Sequence, residues 1–254
     1  MHAHRRAARR LTGALALTLP ALLAACVNDH PEPAPTGTAD PVPVQVDAAR
    51  DELAGLAAAA QDRHLTATYT FAPADGAPRT VTVTSANDGS WRVDVPGWAH
   101  RGTVDVSLAG TSDGLFQCAL PSAGWARAAA CVRLGDPDDA VPRRLDPRVQ
   151  HPFTDWLEVL TDRRAPLAVA PATPLRGVTG RCYAVDSTSA SLNAPLDVGI
   201  YCFREDGTPA GVRAAFGTLT LAGEPGAAPA TVELAGAVTE GEPVGQDTPS
   251  PETS

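Results

Sequence analysis

Short stretches of alternating apolar and polar residues, separated by tight turn sequences, run through most of the chain. The stretch 66–71 places alanine, tyrosine and phenylalanine against three threonines, and 91–95 alternates tryptophan and valine with arginine and aspartate. The same period of two recurs in 104–108 and 116–120, and Asp-Gly or Asn-Asp-Gly sequences lie between several such stretches. Alternation of this kind is typical of half-buried strands, and tight turns join antiparallel neighbours. The sequence therefore predicts an antiparallel meander.

Two segments have helical spacing instead. The first follows Asp47, a predicted N-cap, and repeats leucine and alanine as far as Ala60. The second is 152–163, which begins with proline and ends before Pro166. Its apolar side consists of Phe153, Trp156, Leu157 and Leu160. Further strands are predicted at 180–186, 197–204, 210–216, 218–222 and 230–238. This order of elements predicts an α+β fold with one long antiparallel sheet.

The first 26 residues have the layout of an export signal. Residues 1–10 carry four arginines and no acid, and the apolar run 11–25 leads to Cys26. That run is shorter than the ~20 residues of a membrane-spanning helix, and Pro20 interrupts it. The sequence Leu23-Ala24-Ala25-Cys26 resembles the lipobox of bacterial lipoproteins, in which the cysteine is diacylated through sulfur and the leader is removed. The alternative is an ordinary cleaved signal followed by an unrelated cysteine.

The lipobox resemblance implies a division of the chain and a location. Residues 1–25 would be the signal peptide, and Cys26 would anchor the protein by lipid to the extracytoplasmic face of the cell membrane. The segment 26–45 is rich in proline and is predicted to be an extended tether. The folded domain is predicted over 46–239, and the polar segment 240–254 is predicted to be disordered.

The charge of the chain limits its partners. Without the four arginines of the signal, 16 arginines stand against 29 acids, so the mature chain has a formal net charge of −13. Binding to nucleic acid needs clustered cations, and so does adhesion to anionic lipid headgroups. Nucleic acid is therefore not an expected partner, and attachment to the membrane is assigned to the acyl chains.

Four cysteines remain after Cys26, namely Cys118, Cys131, Cys182 and Cys202. An even number in an exported chain indicates two disulfides, for which three connectivities are open. Sequential pairing is favoured because the first two cysteines flank a turn and the last two flank a loop centred near Leu192. No two cysteines are closely spaced, so a cysteine metal site is not expected.

The order of helix, strands, central helix and further strands behind a lipobox resembles the LolA-like lipoprotein carriers. This group includes the lipid-binding surface lipoproteins of high-GC Gram-positive bacteria. The stretches 180–183 and 201–208, with a strand cysteine followed by a Tyr-Cys…Asp-Gly hairpin, are a second point of similarity. The resemblance implies a strongly curved antiparallel sheet, a half-barrel, over 46–239. The N-terminal helix and the central helical segment would cover its concave face around an apolar cavity.

The sequence does not favour an enzyme. His64, His100 and His151 are the histidines of the predicted domain, no GxSxG turn presents a nucleophilic serine, and no glycine-rich phosphate loop occurs. We interpret the three histidines as structural and expect no cofactor. The acidic stretch 136–139 lacks the glycine and glutamate of a calcium loop, so it is interpreted as a solvated turn and no metal is expected.

The expected function is the binding or carriage of a lipid or another apolar ligand by a membrane-anchored protein. The predicted ligand contacts are Trp91, Phe153, Trp156, Leu157 and Leu160. Trp98 and Trp125 are further candidates for a lipid cavity or a carbohydrate platform, but packing in the core is the favoured interpretation of the tryptophans. The alternative is a non-catalytic envelope scaffold or partner-binding lipoprotein whose core is filled. The volume of the cavity distinguishes the two.

Overall fold

One sheet dominates the computed structural model, which describes residues 48–189 and 194–247. Residues 1–47, which include the predicted signal, Cys26, the tether and Asp47, lie outside the described residues, as do Leu192 and 248–254. The strands are β1 (Leu65–Pro73), β2 (Arg79–Ser85), β3 (Trp91–Ala99), β4 (Val104–Thr111), β5 (Gly114–Leu120), β6 (Ala130–Gly135), β7 (Leu167–Ala172), β8 (Arg181–Ser187), β9 (Gly199–Phe203), β10 (Pro209–Ala214), β11 (Gly217–Leu221), β12 (Gly226–Ala227) and β13 (Ala237–Val238). The helices are α1 (Ala48–Gln61) and α2 (Asp155–Thr161), with short 3-10 turns at His100–Gly102, Arg143–Leu145 and His151–Phe153.

The strands form two meanders that join at β1. The order across the sheet is β13-β6-β5-β4-β3-β2-β1-β11-β10-β9-β8-β7, and β12 also pairs with β1. The junction is antiparallel and places Tyr69 opposite Leu221. Only β13 runs parallel to its neighbour, β6, among the strands that the structure describes. The sheet is therefore mixed, and since β13 and β7 are its two edges, it is open.

Alternation in the sequence places one set of side chains on the inner face of this sheet. Along β1 the buried positions are Leu65, Ala67, Tyr69 and Phe71. The intervening threonines lie on the opposite face, where Thr68 and Thr70 are exposed. The turn between β2 and β3 contains Gly89 at φ 85°, a backbone conformation that glycine adopts without steric cost.

The predicted α+β fold, an antiparallel half-barrel with helices over its concave face, is wrong. The sheet is large, mixed and open, and the two helices are short, with 14 and 7 residues. The segment 152–163 does not form one helix, because Thr154 has the non-helical angles φ −129° and ψ −117° between a 3-10 turn and α2. A seven-residue helix is about 10 Å long, too short to cover a sheet of this width.

Each half of the inner face has its own cover. The helices pack on each other and on β8–β10, with Leu53, Trp156 and Leu160 buried there. Over β1–β4 the cover is irregular chain with short 3-10 turns, in which Leu145 and Val149 are fully buried. The two halves are linked where the Tyr69 hydroxyl donates a 2.8 Å hydrogen bond to the backbone oxygen of Pro209. Within the described residues, no helix is both long enough and apolar enough to cross a membrane.

The two disulfides confirm the sequential pairing. Cys118 and Cys131 lie opposite each other on β5 and β6, with Cα atoms 3.9 Å apart. Cys182 and Cys202 are opposite on β8 and β9, with Cα atoms 4.0 Å apart. Each bond therefore joins neighbouring antiparallel strands.

The chain after β11 differs from its prediction. The strand predicted at 230–238 is mostly irregular, and only its end forms β13. Val232 instead fills a small apolar cluster on the outer face. Disorder was predicted from residue 240, but Val244 is buried and makes two hydrogen bonds with the Gln117 side chain, of 2.8 and 2.9 Å. A buried amide that satisfies both backbone groups of Val244 holds this segment on the sheet.

Candidate functional site

A cavity of about 510 Å³ lies between the inner face of the β1–β3 region and the segment that leads into α2. Leu65, Tyr69, Val83, Ser85 and Trp91 line its sheet side. The other sides are formed by 137–141, by 150–158 and by the residues around the end of α1. Its volume lies within the range of about 300–1,000 Å³ that is usual for small-molecule sites.

Aromatic and aliphatic side chains form much of the cavity wall. The Phe153 ring lies 4.8 Å from the Tyr69 ring, and Trp91 and Phe153 remain half-buried in the lining. Gly110, opposite Trp91 on β4, leaves room for the indole, since a Cβ atom there would lie 2.4 Å from Trp91 Nε1. The small residue on β4 therefore allows the indole to lie over the neighbouring strand.

The structure brings together three of the five predicted ligand contacts, namely Trp91, Phe153 and Leu157. Trp156 and Leu160 face away from the cavity and are buried among the helices and β8–β10. The Trp156 ring lies 6.1 Å from the Tyr201 ring, in an edge-on arrangement. Packing of this kind gives Trp156 a structural role.

The other two tryptophans also lie outside the cavity lining. Trp98 is buried in the core over β1–β4. Trp125 lies near Arg127, whose guanidinium carbon is 5.4 Å from the centre of the indole ring.

A charged cluster centred on His151 forms one wall of the cavity. Its Nε2 lies 2.9 Å from Asp146 Oδ2, and its Nδ1 lies 2.7 Å from Asp155 Oδ1. The imidazole ring also stacks on the Trp156 ring, with 5.0 Å between centres. Asp155 is the first residue of α2, so the cluster connects the irregular segment before the helix to the helix itself.

Two carboxylates keep His151 protonated. Burial by itself lowers the pKa of His151, but the hydrogen bonds and negative charges of Asp146 and Asp155 outweigh burial and raise the pKa to about 9. For Asp146, burial alone raises the pKa. The hydrogen bond and positive charge of His151 outweigh burial, so the pKa of Asp146 is below its ordinary value. With both ring nitrogens donating, neither is free to accept a proton from a substrate. The geometry therefore describes a structural ion cluster.

Gln150 lines the same wall and is 1 % exposed. Its Nε2 donates a 2.7 Å hydrogen bond to Asp146 Oδ1 and lies 3.3 Å from His151 Nε2. The orientation of the amide follows from the shorter contact, because the reverse orientation would place two oxygens together. Its Oε1 is buried and has no hydrogen-bond partner among the described residues. A buried acceptor in this state is destabilising unless a donor reaches it.

The remaining histidines differ from His151 in their surroundings. His64 is exposed at the rim of the cavity. His100 is buried in a 3-10 turn, where burial lowers its pKa, and neither ring nitrogen has a hydrogen-bond partner in the described part of the chain.

The acidic stretch 136–139 forms a turn. Asp139 Oδ2 accepts a hydrogen bond from the Asp136 backbone at 2.7 Å, and Arg133 pairs with Asp136 at 2.6 Å. Across residues 48–189 and 194–247, no group of three or more histidine, cysteine or acidic side chains has the geometry to hold a metal ion.

Sequence reasoning missed Asp146, Gln150 and Asp155 as partners of His151. Their spacing, Asp-x4-His-x3-Asp, is visible in the sequence, but Asp146 lies in no helix or strand. Its position opposite His151 depends on how irregular chain folds back, which periodicity does not encode. The signal that was present is the placement of His151 four residues before Asp155.

Fold and cavity together define a sheet-dominated protein with a partly apolar, small-molecule-sized pocket. No protein-family model matches the chain, and no curated protein matches its sequence.

Proposed function

We propose that this chain is a lipid-anchored extracytoplasmic protein that binds a lipid or another apolar small molecule in the pocket beside Trp91 and Phe153. The observation that carries the proposal is the cavity of about 510 Å³ between the sheet and the 150–158 segment. A filled core would leave no such space, and half-buried aromatic rings in its wall offer apolar contact area. Each buried methylene of a ligand contributes ~0.8 kcal/mol.

Binding is tested with N-phenyl-1-naphthylamine, a neutral apolar probe whose fluorescence rises in apolar surroundings. Ser85 lies in the cavity lining and is half-buried, so Ser85→Trp fills the space without removing a core side chain. Thr68→Trp places the same indole on the exposed face of β1 and serves as the matched control. Saturable binding to wild type and Thr68→Trp, with loss in Ser85→Trp, is the expected result. Equal binding by all three proteins, or none by wild type, contradicts the proposal.

The anchor is the second part of the proposal. The lipobox resemblance ends at Cys26, and two disulfides between neighbouring strands suit an oxidising, extracytoplasmic compartment. Cys26→Ser removes the sulfur that would be acylated and leaves the folded domain unchanged. We expect the variant to move from the membrane fraction to the soluble extracytoplasmic fraction. Unchanged membrane association and processing would refute the anchor.

A partner-binding scaffold is the second candidate, and a different surface favours it. The outer face of β7–β9 carries a shallow groove of about 380 Å³, where Val198 is 51 % exposed. Its lining is mainly alanine, valine, glycine and isoleucine, together with Asp186 and Arg213. An apolar groove beside an exposed valine offers contact area to a partner. If the protein is a scaffold, Val198→Arg abolishes a complex in detergent extracts of the envelope, whereas Ser85→Trp does not. A complex that survives Val198→Arg counts against this candidate.

A further inference from the structure

We infer that the ligand of the Trp91–Phe153 pocket carries a protonated amine, or another group with N–H donors, at one end of an apolar body, and that the pocket discriminates against anionic amphiphiles. This inference rests on the proposed function and adds the chemistry of the ligand's polar end. Three features of the pocket carry it: its charge, a buried acceptor and its aromatic rings.

Negative charge exceeds positive charge around the pocket. The lining contains four carboxylates, on Asp138, Asp139, Asp155 and Glu158, and the cations Arg63 and His151, besides the exposed His64. Arg63 pairs with Asp206 at 2.8 Å, and His151 lies between two carboxylates. Both cations are thus neutralised by the protein's own acids. Arg63 and His151 therefore each have an acidic partner already, and the Arg63 Nε, which has no hydrogen-bond partner among the described residues, is buried.

Two of the four acids have neither an ion pair nor a side-chain hydrogen bond within the described residues. Asp138 and Glu158 are exposed at the pocket and form no ion pair within the described residues. A cleft lined by one sign of charge attracts ligands of the opposite sign, and its low-dielectric walls strengthen the effect. The unpaired acids therefore favour a cationic ligand.

Gln150 supplies an independent observation. Its side chain is almost fully buried, its amide orientation is fixed by Asp146, and its Oε1 has no donor among the described residues. This oxygen is covered by the pocket wall, so a ligand head must enter the wall to reach it. An N–H group there would satisfy the acceptor, whereas a carboxylate oxygen would be repelled by it. The amide thus distinguishes a donor-bearing head from an acceptor-only head, which surface acids alone would not do.

The aromatic rings act in the same direction. Trp91 and Phe153 are half-buried in the lining, and the face of an aromatic ring attracts a cation. An alkyl or aryl body would pack against the apolar wall of Leu65, Val83 and Leu115. A pocket with an acidic mouth and apolar sides matches a ligand that is cationic at one end and apolar at the other.

The test is a matched series of eight-carbon compounds titrated into the full chain by calorimetry at neutral pH: octylamine, octanol and octanoate. Because the alkyl body is constant, the differences report the head alone. We expect protonated octylamine to bind at least roughly ten-fold more tightly than octanol, because a charge-assisted hydrogen bond contributes a free energy of this size. Octanoate is expected to bind weakest. Trimethyloctylammonium keeps the charge without an N–H and is expected to fall below octylamine.

Two pairs of substitutions test whether Asp138 and Glu158 cause the preference for octylamine. Asp138→Asn with Glu158→Gln is expected to reduce the octylamine preference several-fold and to leave octanol binding unchanged. Asp75→Asn with Glu205→Gln removes two exposed acids outside the pocket lining and is the matched control. If the control pair has the same effect, the attraction is a property of net charge and the inference for this pocket is overturned.

The outcomes separate the two levels of the proposal. If no compound binds and N-phenyl-1-naphthylamine also fails to bind, the proposed function itself is wrong. If octanoate binds as tightly as octylamine while the neutral probe binds, the pocket function stands and the inference about the head is overturned. Equal affinity for trimethyloctylammonium and octylamine would overturn the role assigned to Gln150.

Discussion

His151 is the group that we expect to control the pH dependence of stability between pH 7 and pH 9. The imidazolium joins Asp146, in the irregular segment, to Asp155, at the start of α2, and so holds one wall of the cavity. His151→Gln keeps a side chain that can donate to a carboxylate but cannot become charged. We therefore predict that this variant is less stable near neutral pH and loses most of the pH dependence between pH 7 and pH 9.

The size of this stability change follows from the difference between the pKa of His151 in the folded chain and in the unfolded chain. The pKa of His151 is about 9 in the folded chain, above its ordinary value of 6.5. A group whose pKa is raised by folding stabilises the protein fully below the unfolded value, and this stabilisation is lost as pH rises through the folded value. The full contribution is about 3 kcal/mol, of which about 2 kcal/mol disappears between pH 7 and pH 9.

Urea unfolding followed by tryptophan fluorescence, with the disulfides intact, measures this directly. For wild type the unfolding free energy is expected to fall by about 2 kcal/mol from pH 7 to pH 9, which corresponds to roughly 4–8 °C in Tm for a domain of this size. The measurement stops at pH 9 because burial raises the pKa values of Tyr69 and Tyr201. Above pH 9 the titration of these tyrosines also changes the unfolding free energy.

The control is His64→Gln, which removes an exposed histidine at the cavity rim. We expect it to retain the wild-type profile. A His151→Gln variant that still loses about 2 kcal/mol between pH 7 and pH 9 would show that another group is responsible. The interpretation that protonated His151 stabilises the fold by joining Asp146 to Asp155 would then be refuted.

Three further predictions concern the stability of the fold around the site. Replacing both cysteines of the β8–β9 disulfide, which encloses 20 residues, by alanine should lower the unfolding free energy by roughly 3 kcal/mol in urea titrations; no change would contradict the cross-link's role. Gly110→Ala should displace the Trp91 indole, cost about 1–3 kcal/mol and weaken N-phenyl-1-naphthylamine binding; unchanged probe affinity would count against Trp91 as a pocket wall. Gln117→Leu leaves both backbone groups of Val244 without their partner, so faster proteolysis of the C-terminal segment and a loss of about 1–3 kcal/mol are expected. Equal proteolysis rates would contradict it.

Local patterns in the sequence predicted those parts of the molecule that local chemistry determines. The alternation around Tyr69 and Val93 placed these side chains on the inner face, because a strand has a period of two whatever its neighbours are. Helical spacing located α1, where Leu53, Ala57 and Ala60 are buried. The cysteine pairing followed from short separations of 13 and 20 residues across neighbouring strands.

The arrangement of the elements was beyond such patterns. The apolar spacing of 152–163 predicted a longer helix, but Thr154 departs from helical angles and α2 begins only at Asp155. The cover over β1–β4 comes from Leu145, in a short 3-10 turn, and from Val149 and Val244, in irregular chain, so that no periodicity marks these residues. Tertiary contacts of this kind also place Gln150 in the cavity wall. Nothing in the sequence distinguishes Gln150 from other glutamines, because its role depends on burial in the folded chain.

The most direct measurement of the central claim is the set of nuclear Overhauser effects between the alkyl protons of bound octylamine and the side chains of an isotope-labelled protein. Binding in the proposed pocket predicts contacts to the rings of Trp91 and Phe153 and to the methyl groups of Leu157. Contacts only to Val198 and Ile200, in the outer groove of β7–β9, would contradict it and favour the scaffold surface.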